Sequence, residues 1–203
     1  MLEYVVTAVN SEPAWDQIPS LSVDNVQWSD DVGIRMTAQF CYDQENLYVR
    51  QQAVEKHIRA ELNDALSMVC NDSCMEFFFC LDPDTDRYLN FELNPNGCLF
   101  LGIGTGPRSL FRQIVSNPKE TFHIQTELTD TGWELRYQIP LSVIRIYAPY
   151  FTLEPGKEFR ANCYKCGDKT QNRHYLTWNP VAAVPHTFHS PADFGKFILG
   201  PGI

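Results

Sequence analysis

The sequence lacks several features that would place it in a large functional class. No apolar run approaches the roughly 20 residues that a membrane-spanning helix needs. The first residues, MLEYVVTAVNSEPAW, do not combine a basic stretch with a long apolar core, as a signal peptide would. Basic residues are also few, because 16 Lys and Arg stand against 25 Asp and Glu, which gives a net charge of −9. This balance argues against nucleic acid and anionic membranes as partners, since both bind basic surfaces.

Regular cysteine spacing is missing too, although the chain has seven cysteines. Their scatter and odd number favour reduced thiols and a cytoplasmic protein, and the alternative is a secreted protein whose signal has been removed. Cys163 and Cys166 have the spacing of a metal or redox pair. No second pair follows at zinc-ribbon spacing, and residues three apart on a strand face opposite ways. We therefore interpret both as ordinary strand residues.

The clearest structural signal that is present runs from Cys74 to Gly97. Apolar side chains alternate along both halves of this stretch, which is the period of a pleated strand. A turn over 82–86, rich in aspartate and containing Pro83, separates the two halves. The pattern predicts a hairpin with one apolar face and one face that carries carboxylates and amides. The apolar face comprises Met75, Phe77, Phe79, Leu81, Leu89, Phe91 and Leu93, and the polar face includes Glu76, Asn90, Glu92 and Asn94.

Short strand-like segments bounded by Gly, Pro and Asp recur along the rest of the chain. Residues 34–42 with 47–53, and residues 122–128 with 132–139, predict two further hairpins. Helical spacing of apolar residues predicts a helix over 55–69, and Leu141–Tyr147 predicts a helical turn or two after Pro140. The fold class we predict is all-β. It is an antiparallel, jelly-roll-like β-sandwich with one or two short connecting helices, forming a single domain over 1–203.

A set of short phrases then follows one another in a specific order. They are Asp43-x-x-x-Leu-Tyr-Val49, Asp72-x-x-x-Glu76-Phe-x-Phe, Tyr88-x-x-Phe-x-x-Asn94-x-x-Gly97, Trp133-x-x-x-x-x-Ile-Pro140, Gly156-x-x-Phe-Arg160-x-Asn162, Trp178-x-Pro180 and Phe188-His-x-Pro-x-x-Phe-Gly195. Taken together, this set resembles carbohydrate-binding module family 9 and its relatives, which are β-sandwiches often attached to xylanases. The resemblance covers nearly the whole chain.

The resemblance implies a sugar site built from specific residues. In that family the end of a glycan lies between two tryptophans, and carboxylates, amides and arginines bind its hydroxyl groups. The family's acid corresponds to Glu76 and its amide to Asn94, while Glu92 stands where the family can carry an arginine. Arg173 corresponds to an arginine in the loop before Trp178, which itself aligns with a structural tryptophan.

The aromatic clamp of that family is only half present in this sequence. One tryptophan position corresponds to Phe188, with His189 beside it. The other corresponds to Cys70, and Trp28 is the free candidate to replace the missing ring. Strand alternation also places Arg160 where it either faces the polar side of the central hairpin or forms a structural ion pair.

Asp82, Asp84 and Asp86 alternate in the central turn like calcium ligands, although the turn lacks the length and the final Glu of a known calcium loop. A solvated turn is the simplest interpretation. A structural calcium ion is the alternative, because the resembled family binds calcium.

Three functions are compatible with this pattern. The first is a non-catalytic carbohydrate-binding domain, alone or beside a glycoside hydrolase. The second is a glycoside hydrolase-like enzyme that uses Glu76 and Glu92 as its carboxylate pair. The third is a haem-binding sandwich of a related fold, in which one of Met36, Met68 and Met75 pairs with His57 or His189.

Overall fold

The fold is described by a computed structural model that covers residues 1–82 and 84–201. Pro83, in the predicted turn, and the last two residues of the predicted domain lie outside the described residues. The strands are β1 Glu3–Ala8, β2 Ser20–Val23, β3 Asn25–Val26, β4 Arg35–Tyr42, β5 Asn46–Val54, β6 Cys74–Cys80, β7 Tyr88–Leu93, β8 Leu99–Gly104, β9 Phe111–Gln113, β10 Gln125–Leu128, β11 Gly132–Pro140, β12 Glu158–Cys166, β13 Tyr175–Thr177 and β14 Gly195–Leu199.

Helices are short in the described part of the chain. The α-helices are α1 Pro118–Thr121 and α2 Leu141–Tyr147, and single 3-10 turns occupy Trp15–Gln17, Val69–Asn71, Pro107–Ser109 and Pro191–Asp193. The second α-helix has the bounds that the sequence predicts, and it follows Pro140, whose backbone is extended and stands at the helix N-terminus. Among the described residues, no helix has the length and apolar composition needed to cross a membrane.

The strands form two packed layers that β1 joins at one edge. One layer runs in the order β10-β11-β5-β4, with β2 also paired to β4, and the other runs β14-β12-β6-β7-β8-β9, with β13 paired to β12 and β3. Glu3–Val6 of β1 pair in parallel with β14, and Thr7 and Ala8 pair in parallel with β4. The sheet is therefore mixed, and the prediction of a purely antiparallel jelly roll is wrong. No tight turn links β1 to either neighbour, so nothing forces these pairs to be antiparallel.

The main core lies between the two layers. Phe40 of one layer contacts Phe77 of the other with ring centroids 4.7 Å apart, and Phe91 stacks on Tyr137 at 5.9 Å. The predicted apolar face of the central hairpin is buried in this core in full. Trp178 is also a core residue, as the resemblance implies. The alternation of the hairpin thus identifies correctly which face packs against the second layer.

The segment between β5 and β6 is not the helix that the sequence predicts. Its backbone groups bind Asp72 and Ser73, the two residues just before β6. The Asp72 carboxylate accepts the amide hydrogens of Glu61 and Leu62, each at 2.9 Å. Ser73 donates its amide to the carbonyl of Arg59 at 3.0 Å, and its hydroxyl accepts the Arg59 amide. Because these bonds replace the bonds of a helix, the apolar spacing of 55–69 does not produce one.

A fully buried ion pair fastens this segment to β12. The Lys165 ammonium group lies 3.0 Å from the Glu55 carboxylate, and the two side chains are 0% and 1% exposed. Lys165 also donates to the carbonyl of Cys166 at 3.0 Å and lies 2.8 Å from Nε2 of His174. Burial alone would raise the pKa of Glu55, but the Lys165 charge and a bond from the Ser73 hydroxyl bring it below its ordinary value.

Candidate functional site

Four neighbouring strands supply the floor of the candidate site. In the sheet register, Tyr164 of β12 lies opposite Glu76 of β6, Glu76 opposite Glu92 of β7, and Glu92 opposite Phe100 of β8. Directly paired residues share a face of the sheet, so these four side chains form one row across it. The row belongs to the face that points away from the main core.

The polar face of the central hairpin is buried. Glu76 is 3% exposed and Glu92 is 5% exposed. A second apolar cluster covers the face with side chains from the loop before β14. Phe188, Phe194 and Val181 of that loop pack there with Phe78 and Tyr88 of the central hairpin. Strand alternation distinguishes the two faces of a sheet, but it does not reveal what a distant loop places over the second face.

Burial changes the acidity of both carboxyl groups. It raises the pKa of Glu76 to about 7, although a bond from the Cys166 thiol opposes the rise. Burial and the neighbouring Glu76 charge raise the pKa of Glu92 well above its ordinary value. The amide of Asn90 donates to Oε1 of Glu92 at 2.7 Å. Protonated carboxyl groups at neutral pH can donate as well as accept hydrogen bonds.

Two cysteines lie beside Glu76. Cys74 of β6 is directly opposite Cys166 of β12, and the Cys166 thiol donates to Oε1 of Glu76 at 2.9 Å. The ligand atoms of these three buried residues all lie within 4.8 Å of one another. Cys163, which the sequence pairs with Cys166 by spacing, faces the main core instead. All seven cysteines are free thiols.

A pocket of about 660 Å³ opens above this floor. Five of the seven predicted ligand residues line it, namely Glu76, Glu92, Arg173, Phe188 and His189. Trp28 and Cys70, the two residues considered for the second ring of the clamp, line it as well. Further lining residues include Met68, Phe100, Cys166, Asp168, Tyr175 and His186.

An aromatic wall bounds part of the pocket. Trp28 packs on Phe188 with ring centroids 5.1 Å apart, on Tyr175 at 5.9 Å, and in a stacked arrangement on His186 at 5.0 Å. The Gln27 amide donates to the Tyr175 carbonyl at 2.8 Å, which continues the pairing of β3 with β13 and places Trp28 beside Tyr175. Trp28 thus belongs to the same wall as Phe188. The position that aligns with the second tryptophan of the family's clamp is occupied by Cys70.

Polar groups of the pocket are held by hydrogen bonds to neighbouring side chains. Arg173 donates to the Tyr175 hydroxyl at 2.6 Å, and that hydroxyl donates to Asp168 at 2.6 Å. The Tyr88 hydroxyl lies 2.8 Å from Nδ1 of His189. Burial lowers the pKa of His189 to about 4, so this ring is neutral at neutral pH. These contacts orient the polar side chains before any ligand arrives.

Asn94 does not line the pocket, although the resemblance implies that it binds the ligand. Its amide donates to the carbonyl of Leu62 at 2.8 Å and to Asp72 at 2.9 Å, and its oxygen accepts the Cys98 amide at 2.9 Å. The side chain is completely buried. Its bonds hold the segment before β6 against the turn after β7.

Arg160 also lies outside the pocket lining. Its guanidinium group binds Asp86 at 3.0 Å, the Thr85 carbonyl at 2.9 Å and the Pro191 carbonyl at 3.2 Å. It therefore has the second of its two predicted roles, a structural ion pair.

The three turn aspartates do not point to one shared ion. Asp82 accepts the Asp84 amide at 2.9 Å, and Asp86 is bound to Arg160. Calcium at this turn stays a prediction.

The residues of the haem hypothesis are dispersed. Met36 and Met75 are buried in the main core, and His57 is exposed on the segment after β5. Met68, 50% exposed, shares the pocket with His189. Only that combination of the proposed residues lines the described pocket.

Comparison with known proteins adds to this geometry. The family described as carbohydrate-binding family 9 matches residues 10–199. A crystal structure of a candidate carbohydrate-binding protein from Bacteroides uniformis ATCC 8492 is 25% identical, with a TM-score of 0.84 over 97% of this chain and 98% of that chain. No curated protein matches the chain.

Two structures of a carbohydrate-binding module family 9 protein from Caldicellulosiruptor kristjanssonii are similar in fold. The complex with cellotriose has a TM-score of 0.69 and the complex with glucose 0.68, each at 14% identity over 100% of this chain. They are covered over 95% and 97% of their own lengths. Since the family match extends over nearly all of the sequence, this chain belongs to carbohydrate-binding family 9.

Proposed function

We propose that this chain is a non-catalytic carbohydrate-binding domain, and that its pocket holds the end of a mono- or oligosaccharide. One observation carries the proposal. Residues far apart in the sequence, Trp28, Glu76, Glu92, Arg173 and Phe188, meet around a single pocket. Four of these five are the residues that the family resemblance and strand pattern select as ligand contacts.

The pocket has the size and chemistry that a sugar requires. Its volume of about 660 Å³ falls within the roughly 300–1,000 Å³ of small-molecule sites. Trp28 and Tyr175, both half-buried, offer apolar surface for the C–H faces of a pyranose ring, and the buried ring of Phe188 packs against Trp28. Glu76, Glu92 and Arg173 offer acceptors and donors for its hydroxyl groups. The two complexes of similar fold contain cellotriose and glucose, which supports glucose-type sugars as the first ligands to test.

The arrangement of the two glutamates favours binding over hydrolysis. In a glycosidase the two carboxyl groups flank the scissile bond, with the substrate between them. Here Glu76 and Glu92 are directly paired neighbours on one sheet floor, and Asn90 engages Glu92. Burial raises the pKa of both groups, which disfavours the ionised nucleophile that a retaining enzyme needs at neutral pH.

Isothermal titration calorimetry with glucose, cellobiose, xylobiose and galactose tests the proposal. We expect saturable heat with at least one sugar, and at least about tenfold weaker binding in Trp28→Ala and Phe188→Ala, because each variant removes an aromatic face of the wall. Tyr150→Ala is the matched control, since Tyr150 is 94% exposed and does not line the pocket. It should bind like the unmodified protein.

Two results would overturn the proposal. One is the absence of saturable heat across the sugar panel. The other is the release of shorter products from an oligosaccharide that stops in Glu76→Gln, because that would make the protein an enzyme. Repeating the titrations with calcium tests the predicted ion, and co-purification tests the predicted association with a glycoside hydrolase.

A further inference from the structure

We propose that Cys74, Glu76 and Cys166 form a binding site for a thiophilic divalent cation of the zinc class. The proposal concerns the floor of the pocket and does not depend on sugar binding.

The backbone brings the three potential ligands together. Cys74 and Cys166 are directly opposite each other in the antiparallel pair of β6 and β12. Glu76 follows Cys74 by two residues, so its side chain leaves the same face of the strand. The two sulfur atoms and a carboxylate oxygen lie within 4.8 Å of one another, and the Cys166 thiol already contacts Glu76 at 2.9 Å.

These separations are close to those of a tetrahedral site. Zinc binds thiolate sulfur at about 2.3 Å and carboxylate oxygen at about 2.0–2.2 Å, so two sulfur ligands of one ion lie roughly 3.8 Å apart. Rotation of the short cysteine side chains can supply the remaining approach without moving the strands. Three protein ligands leave one coordination position open. Glu76 and Cys166 line the pocket, which gives the ion a route to the site.

The donor set selects the class of cation. Thiolates prefer zinc and similar soft ions over calcium and magnesium, which prefer oxygen. On binding, each thiol loses its proton to solvent and forms a sulfur–metal bond, with no change of oxidation state. Two thiolates and a carboxylate would bury three negative charges. The cation compensates two of them, which leaves the loaded site with one negative charge.

Cobalt titration of the reduced, chelator-treated full chain tests the site. We expect visible bands of tetrahedral cobalt and a sulfur-to-cobalt charge-transfer band that zinc removes by competition. Both features should disappear in Cys74→Ser and in Cys166→Ser. Glu76→Gln should weaken cobalt binding about tenfold or more. Cys41→Ser is the control, because Cys41 is buried in β4 of the other layer, and it should behave like the unmodified protein.

X-ray absorption of the zinc-loaded, unmodified protein gives a second test that needs no variant to fold. We expect two sulfur neighbours at about 2.3 Å and lighter atoms in the remaining positions. A shell without sulfur, a shell of four sulfurs, or cobalt bands that persist in the cysteine variants would each overturn the site. Saturable heat in the sugar titrations without cobalt bands would refute only the metal site. Cobalt bands without saturable heat in the sugar titrations would refute only the proposed function.

Discussion

Replacing Lys165 with methionine tests the buried ion pair that joins the segment after β5 to β12. The substitution keeps an unbranched side chain, one heavy atom shorter, but leaves Glu55 without its counter-charge. Glu55 would retain bonds from the Ser73 hydroxyl at 2.7 Å and from the Trp133 indole at 3.2 Å. Because Lys165 and Glu55 are 0% and 1% exposed, water cannot solvate the remaining carboxylate.

Breaking a buried pair by removing one partner costs about 3–5 kcal/mol. That is a large part of the roughly 5–15 kcal/mol that stabilises a typical domain. We therefore expect the free energy of unfolding of Lys165→Met to fall by about 3–5 kcal/mol, and its melting temperature by roughly 6–20 °C. Urea unfolding followed by tryptophan fluorescence measures the change.

The double variant Lys165→Met with Glu55→Gln is the decisive comparison. The glutamine oxygen can accept the Trp133 indole hydrogen while its NH2 group donates to the Ser73 hydroxyl, so the double variant should recover much of the lost stability. Arg35→Met, which breaks the exposed pair with Asp31, is the control and should have a much smaller effect. The reasoning fails if Lys165→Met costs no more than Arg35→Met. It also fails if the two substitutions at the buried pair are simply additive.

Three further predictions concern the pocket and its supports. Burial and the Lys165 charge lower the pKa of His174 to about 4. The free energy of unfolding should therefore fall by up to about 3 kcal/mol as the pH falls from about 6.5 to 4, because the unfolded chain binds a proton in this range and the folded chain does not. Urea unfolding across this pH range should show a smaller loss in His174→Gln. A Cβ atom at Gly102 would meet Oδ1 of Asn90 at 2.2 Å. Gly102→Ala should therefore cost about 1–3 kcal/mol of stability and weaken sugar binding in calorimetry. Unchanged sugar affinity would show that the position of Asn90 does not matter for sugar binding. Asn94→Ala should cost about 2–4 kcal/mol of stability, because it leaves buried partners unpaired. The folded variant should nevertheless bind sugar normally. A loss of sugar affinity without a loss of stability would contradict this structural role of Asn94.

Local pattern predicts the parts of this fold that depend on neighbouring residues. Met75, Phe77 and Phe79 alternate in the sequence and are buried together, and Pro140 marks the start of the second α-helix. The segment over 55–69 fails as a helix because Asp72 and Ser73, which follow it, bind its backbone. The spacing of apolar residues within 55–69 does not reveal these bonds, because Asp72 and Ser73 lie outside the segment.

The candidate site could be predicted only in part, because segments far apart in the sequence build it. Glu76 and Phe188 could be selected through the family resemblance, and both line the pocket. The burial of Glu76 depends on a loop more than 100 residues away in the sequence, and the pairing of Lys165 with Glu55 crosses a similar separation. Sequence spacing does not reveal the cysteine cluster, because it relates Cys166 only to Cys163. The partner of Cys166 is Cys74, which lies opposite it across the two strands.

The position of β1 between β14 and β4 has a consequence for association. If this strand detached, both of its neighbours would expose unpaired backbone groups at the same moment, one in each layer. Open strand edges readily accept another chain. A second copy could then supply its own first strand to both edges, and the result would be a dimer formed by exchange of β1. Conditions that loosen the first eight residues should therefore produce exchanged dimers while the sugar pocket, which β1 does not line, remains intact.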